Sequence, residues 1–140
     1  MYYQFNIANI LLLHSKGDFT SVMCKWDCKW YLTIINDGYD HAVRTHPKIW
    51  KNLANWAFFP LYPNLVAITA KVTTLDAVLA GILLNQIFVF VAAIFFYKLL
   101  RLNFNDLNSR FGVTLLIFSP FSVYFSSLYT EGLFLALSIS

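Results

Sequence analysis

One stretch governs what this chain can fold into: residues 77–97, 21 positions of which only Asn85 and Gln86 are strongly polar. At about 1.5 Å per residue, a helix over this stretch is about 30 Å long, the thickness of a bilayer's hydrocarbon core. It reads as a transmembrane helix. Composition points the same way. Of 140 residues, 59% are apolar, 19% are aromatic and 12% are charged, whereas a soluble domain carries about 25% charged residues. Fourteen phenylalanines are more apolar surface than a soluble domain of this size can hide. The expected fold class is therefore all-α integral membrane.

The remaining segments arrange themselves around that helix. Residues 7–13 are apolar but too few to cross a bilayer, and they lack the basic start and small-residue cleavage site of a signal peptide. Residues 1–13 read as the end of a first membrane helix. Residues 14–75 differ in kind. They hold seven of the ten basic residues, four of the seven acidic ones, all four Trp and three of the four Pro. So long a loop between spans usually carries function, although Trp and Tyr also suit the headgroup level. Two short interfacial helices are expected in it. One covers 19–35, with Thr20 or Ser21 as cap and Gly38 as a stop. The other covers 64–74, after the prolines at 60 and 63. The transmembrane helix occupies 76–100, a polar loop 101–110, and a second span 111–128, interrupted at Ser119-Pro120. Residues 129–140 are a polar turn and the start of another span. Lys98, Arg101 and Arg110 lie around the short loop and favour its placement in the cytoplasm. Residues 14–75 and 129–131 then lie outside, in periplasm or lumen. Nine apolar residues at the end reach half way across a bilayer, so a longer protein is expected.

Few side chains can carry chemistry. Asp27 stands between Trp26 and Cys28 in Trp26-Asp27-Cys28-Lys29-Trp30-Tyr31. A carboxylate among aromatics at a membrane surface is a candidate general base. The bland alternative is a solvated Asp between two Trp anchors. Glu131, at the edge of a hydrophobic hairpin, is either functional or a helix cap favoured by the dipole. Asn85 and Gln86 read as polar glue between helices. Cys24 and Cys28 read as two separate thiols. With His41 and His46 they lack the close pairs of a zinc site. The scattered basic residues form no stripe of the nucleic-acid-binding kind. No nucleophile elbow, Walker loop, dinucleotide fingerprint or zinc-protease motif occurs.

The order of motifs adds a resemblance. Trp26-Asp27 is followed by Trp30-Tyr31, Gly38-Tyr39, then Asn55-Trp56-Ala57-Phe58-Phe59-Pro60-Leu61-Tyr62-Pro63, Asn85, Ser119-Pro120 and Tyr129-Thr130-Glu131. From Trp26 onward, the chain resembles the PIG-V-like family, the second mannosyltransferases of GPI-anchor synthesis and their bacterial relatives. It departs from that pattern at Cys28, Lys29 and Gly132, where smaller or other small residues are commoner. The resemblance implies a GT-C-type multi-spanning helical bundle with its active site in the first large external loop. It implies a bacterial inner membrane or endoplasmic reticulum location. It also implies a polyprenyl-phosphate sugar as donor and an acceptor hydroxyl, with the bilayer as the other partner; a divalent metal is not indicated. Asp27, Trp26 and Glu131 become the expected catalytic residues. Trp30, Tyr31, Asn55, Phe59, Pro60 and Tyr129 become the expected substrate contacts. Arg44, Lys48 and Lys51 are candidates for the departing phosphate. Two other readings are an inactive fragment or non-enzymatic membrane subunit, and a GT-C transferase moving a different sugar.

Overall fold

The structure, a computed structural model, describes residues 23–41 and 54–140. The apolar run 7–13, the caps Thr20 and Ser21, and Arg44, His46, Lys48 and Lys51 lie outside the described residues. In chain order the elements are α1 (Cys28–Asp37), a 3₁₀ turn (Asn55–Ala57), α2 (Leu61–Thr73), α3 (Ala77–Leu100), α4 (Asp106–Ile117), a second 3₁₀ segment (Pro120–Ser126) and α5 (Glu131–Ile139). The described residues are helical, with no strand among them.

Helix α3 is the mast of the assembly. Its 24 residues give about 36 Å at the standard rise. Among the described residues it is the one helix long and apolar enough to cross a membrane. Asp76 caps it, accepting from the N–H groups of Val78 (2.9 Å) and Leu79 (3.2 Å), which satisfies two orphan donors of the first turn. Lys98 lies in the last turn, where a cation suits the dipole. Leu83, Ile87, Phe90 and Ile94 form an exposed stripe at helical spacing. The other face is small: Ala80, Gly81, Asn85, Ala92 and Ala93 are buried. Small residues let backbones approach closely in a membrane bundle. Gly81 illustrates why, because a Cβ there would stand 1.9 Å from Leu128 Cδ1. Helices α2, α4 and α5 and the second 3₁₀ segment all pack on α3, and α1 packs on α2. The core sits around the first half of α3 and joins Cys28, Tyr31, Tyr62, Val66, Ala80, Leu128, Tyr129 and Leu133.

Four boundaries differ from the sequence reading, each for a local reason. Helix α1 begins at Cys28 rather than in the run from 19, because residues 24–26 lie outside the helix and Trp26 has a φ of +43°. It stops where expected, at Gly38, whose φ of +81° is a left-handed conformation that glycine adopts freely. Helix α2 starts three residues before 64. Pro63 fits inside its first turn, where the missing N–H would have no partner anyway. The polar loop shrinks to 101–105, because Asn105 caps α4 by accepting from the N–H of Asn108 at 2.9 Å. In addition, Asp106 pairs with Arg110 at 2.8 Å across one turn. Residues 111–128 do not form one helix. Helix α4 ends at Ile117, Ser119 is extended, and Pro120 opens a 3₁₀ segment, since Pro cannot donate and disfavours helix in the residue before it.

Candidate active site

The site begins with a tight turn. Cys28 N–H donates to Lys25 O at 3.1 Å and Lys29 N–H to Trp26 O at 3.3 Å, after which α1 takes over. Trp26 has a φ of +43°, a left-handed conformation costing a bulky L-residue on the order of 1–2 kcal/mol. Cys24 and Cys28 close the turn with a disulfide, their Cα atoms 5.1 Å apart. The reading of two separate thiols is therefore corrected. It assumed one continuous helix through both, and the turn at 25–27 instead folds Cys24 back onto the helix start. Neither sulfur is left as a zinc ligand. Among the described residues, no cluster of three or more His, Cys, Asp or Glu side chains could hold a metal ion.

Asp27 occupies the N-terminal end of α1 with no side-chain cap bond. Its side chain is exposed, as is Trp26 at 61%. The same turn is gripped from far along the chain. Tyr129 Oη donates to Lys25 O at 2.7 Å across 104 residues. Tyr129 is in turn held by α3, where Asn85 Nδ2 donates to the backbone carbonyls of Tyr129 (3.0 Å) and Ser127. Asn85, fully buried, thus acts as the glue expected of it. Its oxygen stands 3.1 Å from where a Cβ on Gly132 would lie, which accounts for glycine at that position.

Glu131 opens α5 and remains exposed. Crowding by its neighbours nevertheless pushes its carboxyl above the usual range; its own backbone N–H opposes this and the charge of Asp27 adds to it. Tyr129 is pushed up to about 12 by burial, then by Asp27 and Glu131. Tyr31 is also raised, mainly by burial, and its hydroxyl lies beside Thr130. Asp27, Tyr31, Tyr129 and Glu131 therefore share one electrostatic neighbourhood. An aromatic wall flanks it. Phe58 stacks with Trp30 at 6.0 Å and meets Tyr31 edge-on at 5.0 Å. Tyr31 meets Tyr62 edge-on at 5.4 Å, and Tyr124 meets Tyr129 at 5.8 Å.

The family model for mannosyltransferase (PIG-V) matches residues 7–140. The chain belongs to this family. GPI mannosyltransferase 2 of Drosophila pseudoobscura pseudoobscura is 30% identical over 125 residues, which cover 82% of this chain and 25% of that protein. The chain thus spans about a quarter of the length of that curated relative. No solved structure matches it.

Within this PIG-V chain, the structure brings together Trp26, Asp27, Trp30, Tyr31, Tyr129 and Glu131. It treats the other three expected contacts differently. Asn55 is 0% exposed; its Oδ1 accepts from Asp40 N–H at 2.9 Å and its Nδ2 donates to Gly38 O at 3.1 Å. Its amide fastens the turn after α1 to the segment entering α2. Phe59 is 83% exposed, and Pro60 is exposed beside it. The aromatic that faces the cluster is Phe58, which sequence reasoning passed over. Phe58 is extended, so adjacent side chains point to opposite sides, and nothing local in Phe58-Phe59 says which faces inward. Tyr62 and Tyr124 were missed for a related reason: they lie on segments whose inner faces only packing defines.

Proposed function

We propose that this protein is a membrane mannosyltransferase of GT-C architecture. It would move mannose from a polyprenyl-phosphate donor to an acceptor hydroxyl on the external or lumenal side. The observation that carries the reading is the union of Asp27 and Glu131. Their two segments are joined through the Tyr129–Lys25 hydrogen bond beside the wall of Trp30, Tyr31 and Phe58. Two carboxyls in unequal surroundings are what acid–base chemistry at a sugar centre uses. Asp27, exposed and free of a cap bond, takes the proton of the acceptor hydroxyl. That oxygen bonds to the anomeric carbon as the bond to the phosphate oxygen breaks, and the lipid phosphate leaves from the opposite face with inversion. Trp26 and Trp30 border the sugar. Lys25 and Lys29, exposed on either side of Asp27, and Arg44, Lys48 and Lys51 are the cations available to the departing phosphate.

Two features support the sidedness. A disulfide persists in an oxidising compartment, which favours placing the Cys24–Cys28 turn in the lumen or periplasm. Lys98, Arg101 and Arg110 favour the cytoplasm for the other end of α3. The full-length protein would be a multi-pass protein of the endoplasmic reticulum or bacterial inner membrane. The test is mannose transfer from a labelled polyprenyl-phosphate donor by the full-length protein in membranes. Asp27→Asn should lower turnover by a factor of about 10²–10⁴. Native turnover in that variant would sink the assignment.

A further inference from the structure

The turn that presents Asp27 is closed by a covalent bond. Cys24 and Cys28 bracket Lys25, Trp26 and Asp27, and the cross-link ties the residue before the turn to the first residue of α1. Cys28 is fully buried, and both cysteines join the core containing Tyr31, Tyr62 and Tyr129. The segment they enclose is one a free chain would not keep. Trp26 sits at a left-handed φ of +43°, a conformation that persists when its surroundings over-determine it. Two restraints do so here. The disulfide pins both ends of the turn, and the Tyr129 hydroxyl pins Lys25 O at 2.7 Å. The same carbonyl also accepts from Cys28 N–H at 3.1 Å.

We infer that Cys24 and Cys28 are positioning residues for the transfer reaction, their disulfide holding the Trp26-Asp27 turn in register with Tyr129 and Glu131. The inference rests on Asp27 being the base proposed above. Without the cross-link, the Tyr129 hydrogen bond alone holds the turn, and residues 24–26 are freer to continue the helix of α1 backward. Trp26 then returns to ordinary right-handed geometry and the Lys25 carbonyl turns into the helix ladder, away from Tyr129, so the end of α1 that carries the already helical Asp27 loosens from Glu131. Misplacing a reacting group by about 1 Å can lower a rate by about a hundredfold, so the loss falls on kcat. The donor keeps Trp30, Lys29 and its lipid contacts outside the turn, so its KM changes less than kcat.

The experiment uses the full-length protein in membranes. It compares native protein, Cys24→Ser/Cys28→Ser and Asp27→Asn, each with kcat, donor KM and detergent-solubilised unfolding temperature. The double variant should lose between about ten- and a hundredfold in kcat, with a smaller change in donor KM and an unfolding temperature within error of native. A second measurement covers a variant that fails to fold. A water-soluble phosphine is added to native protein; the phosphorus takes oxygen from water as the disulfide becomes two thiols. Thiol alkylation then gives the fraction opened, against which turnover should fall in proportion. Oxidised glutathione, by thiol–disulfide exchange, should restore it. The double variant should not respond to phosphine. If Asp27→Asn is inactive while the double variant and the opened native protein turn over at the native rate, the positioning role is overturned and the base assignment stands. A joint fall in kcat and unfolding temperature would make the bond a brace of the fold and would equally overturn it. If Asp27→Asn is fully active, the base assignment itself fails.

Discussion

Asp27 and Glu131 illustrate how two like side chains come to differ. Asp27 ends a turn and makes no cap bond, whereas Glu131 starts a helix against packed neighbours. Crowding and the Asp27 charge both disfavour the ionised form of Glu131, so its carboxyl titrates above the ordinary range. The sign of the pH effect follows. A raised folded-state pKa means that the folded state binds the proton more readily than the unfolded one. Stability therefore falls as pH rises from the ordinary glutamate range through the raised folded value. Glu131→Gln removes that titration. Unfolding of the detergent-solubilised protein between pH 4 and 7 should show a smaller loss of stability with rising pH in the variant than in the native protein. An unchanged profile would mean that its surroundings do not raise the Glu131 carboxyl.

At the scale of elements, the site is an attachment between α3 and the turn before α5. Asn85 is the attachment point, both its amide hydrogens going to carbonyls at Ser127 and Tyr129. Its oxygen and the Tyr62 hydroxyl are buried near one another without a partner of good geometry. Asn85→Leu keeps the volume and removes the donors. It should cost about 1–3 kcal/mol, because two carbonyls are left in an apolar setting. It should also loosen Tyr129 from Lys25. Unfolding in mixed micelles measures the first, and mannose transfer measures the second. A variant as stable as native would show the carbonyls to be satisfied in another way.

For the whole molecule, α3 separates two ends. Asp27, Tyr129 and Glu131 gather near its first half, while Lys98, Arg101 and Arg110 surround the other end. The proposed sidedness makes a labelling prediction in sealed endoplasmic reticulum vesicles, whose outer surface is cytoplasmic. Asn103→Cys, in the short loop, should react with an impermeant maleimide directly. His41→Cys should react only after detergent opens the vesicles. The reverse pattern would turn the protein over in the membrane.

An unbroken apolar run by itself marked α3 as the helix, among the described residues, long and apolar enough to cross a membrane, since its 24 residues carry few charges. The helix stop at Gly38 and the polar glue at Asn85 were legible for the same reason: each depends on a residue and its immediate neighbours. Motif order pointed to the family, and with it to Trp26, Asp27 and Glu131 as expected site residues. Other features needed contacts between distant segments. The Cys24–Cys28 bond exists because the chain leaves the helix at Trp26, and that departure is held by a tyrosine 104 residues from Lys25. Phe58 rather than Phe59 faces the cluster, and Asn55 spends its amide on Gly38 and Asp40, because of how the loop folds onto α1 and α2. Such choices arise from which surfaces meet, and local propensity carries no information about them.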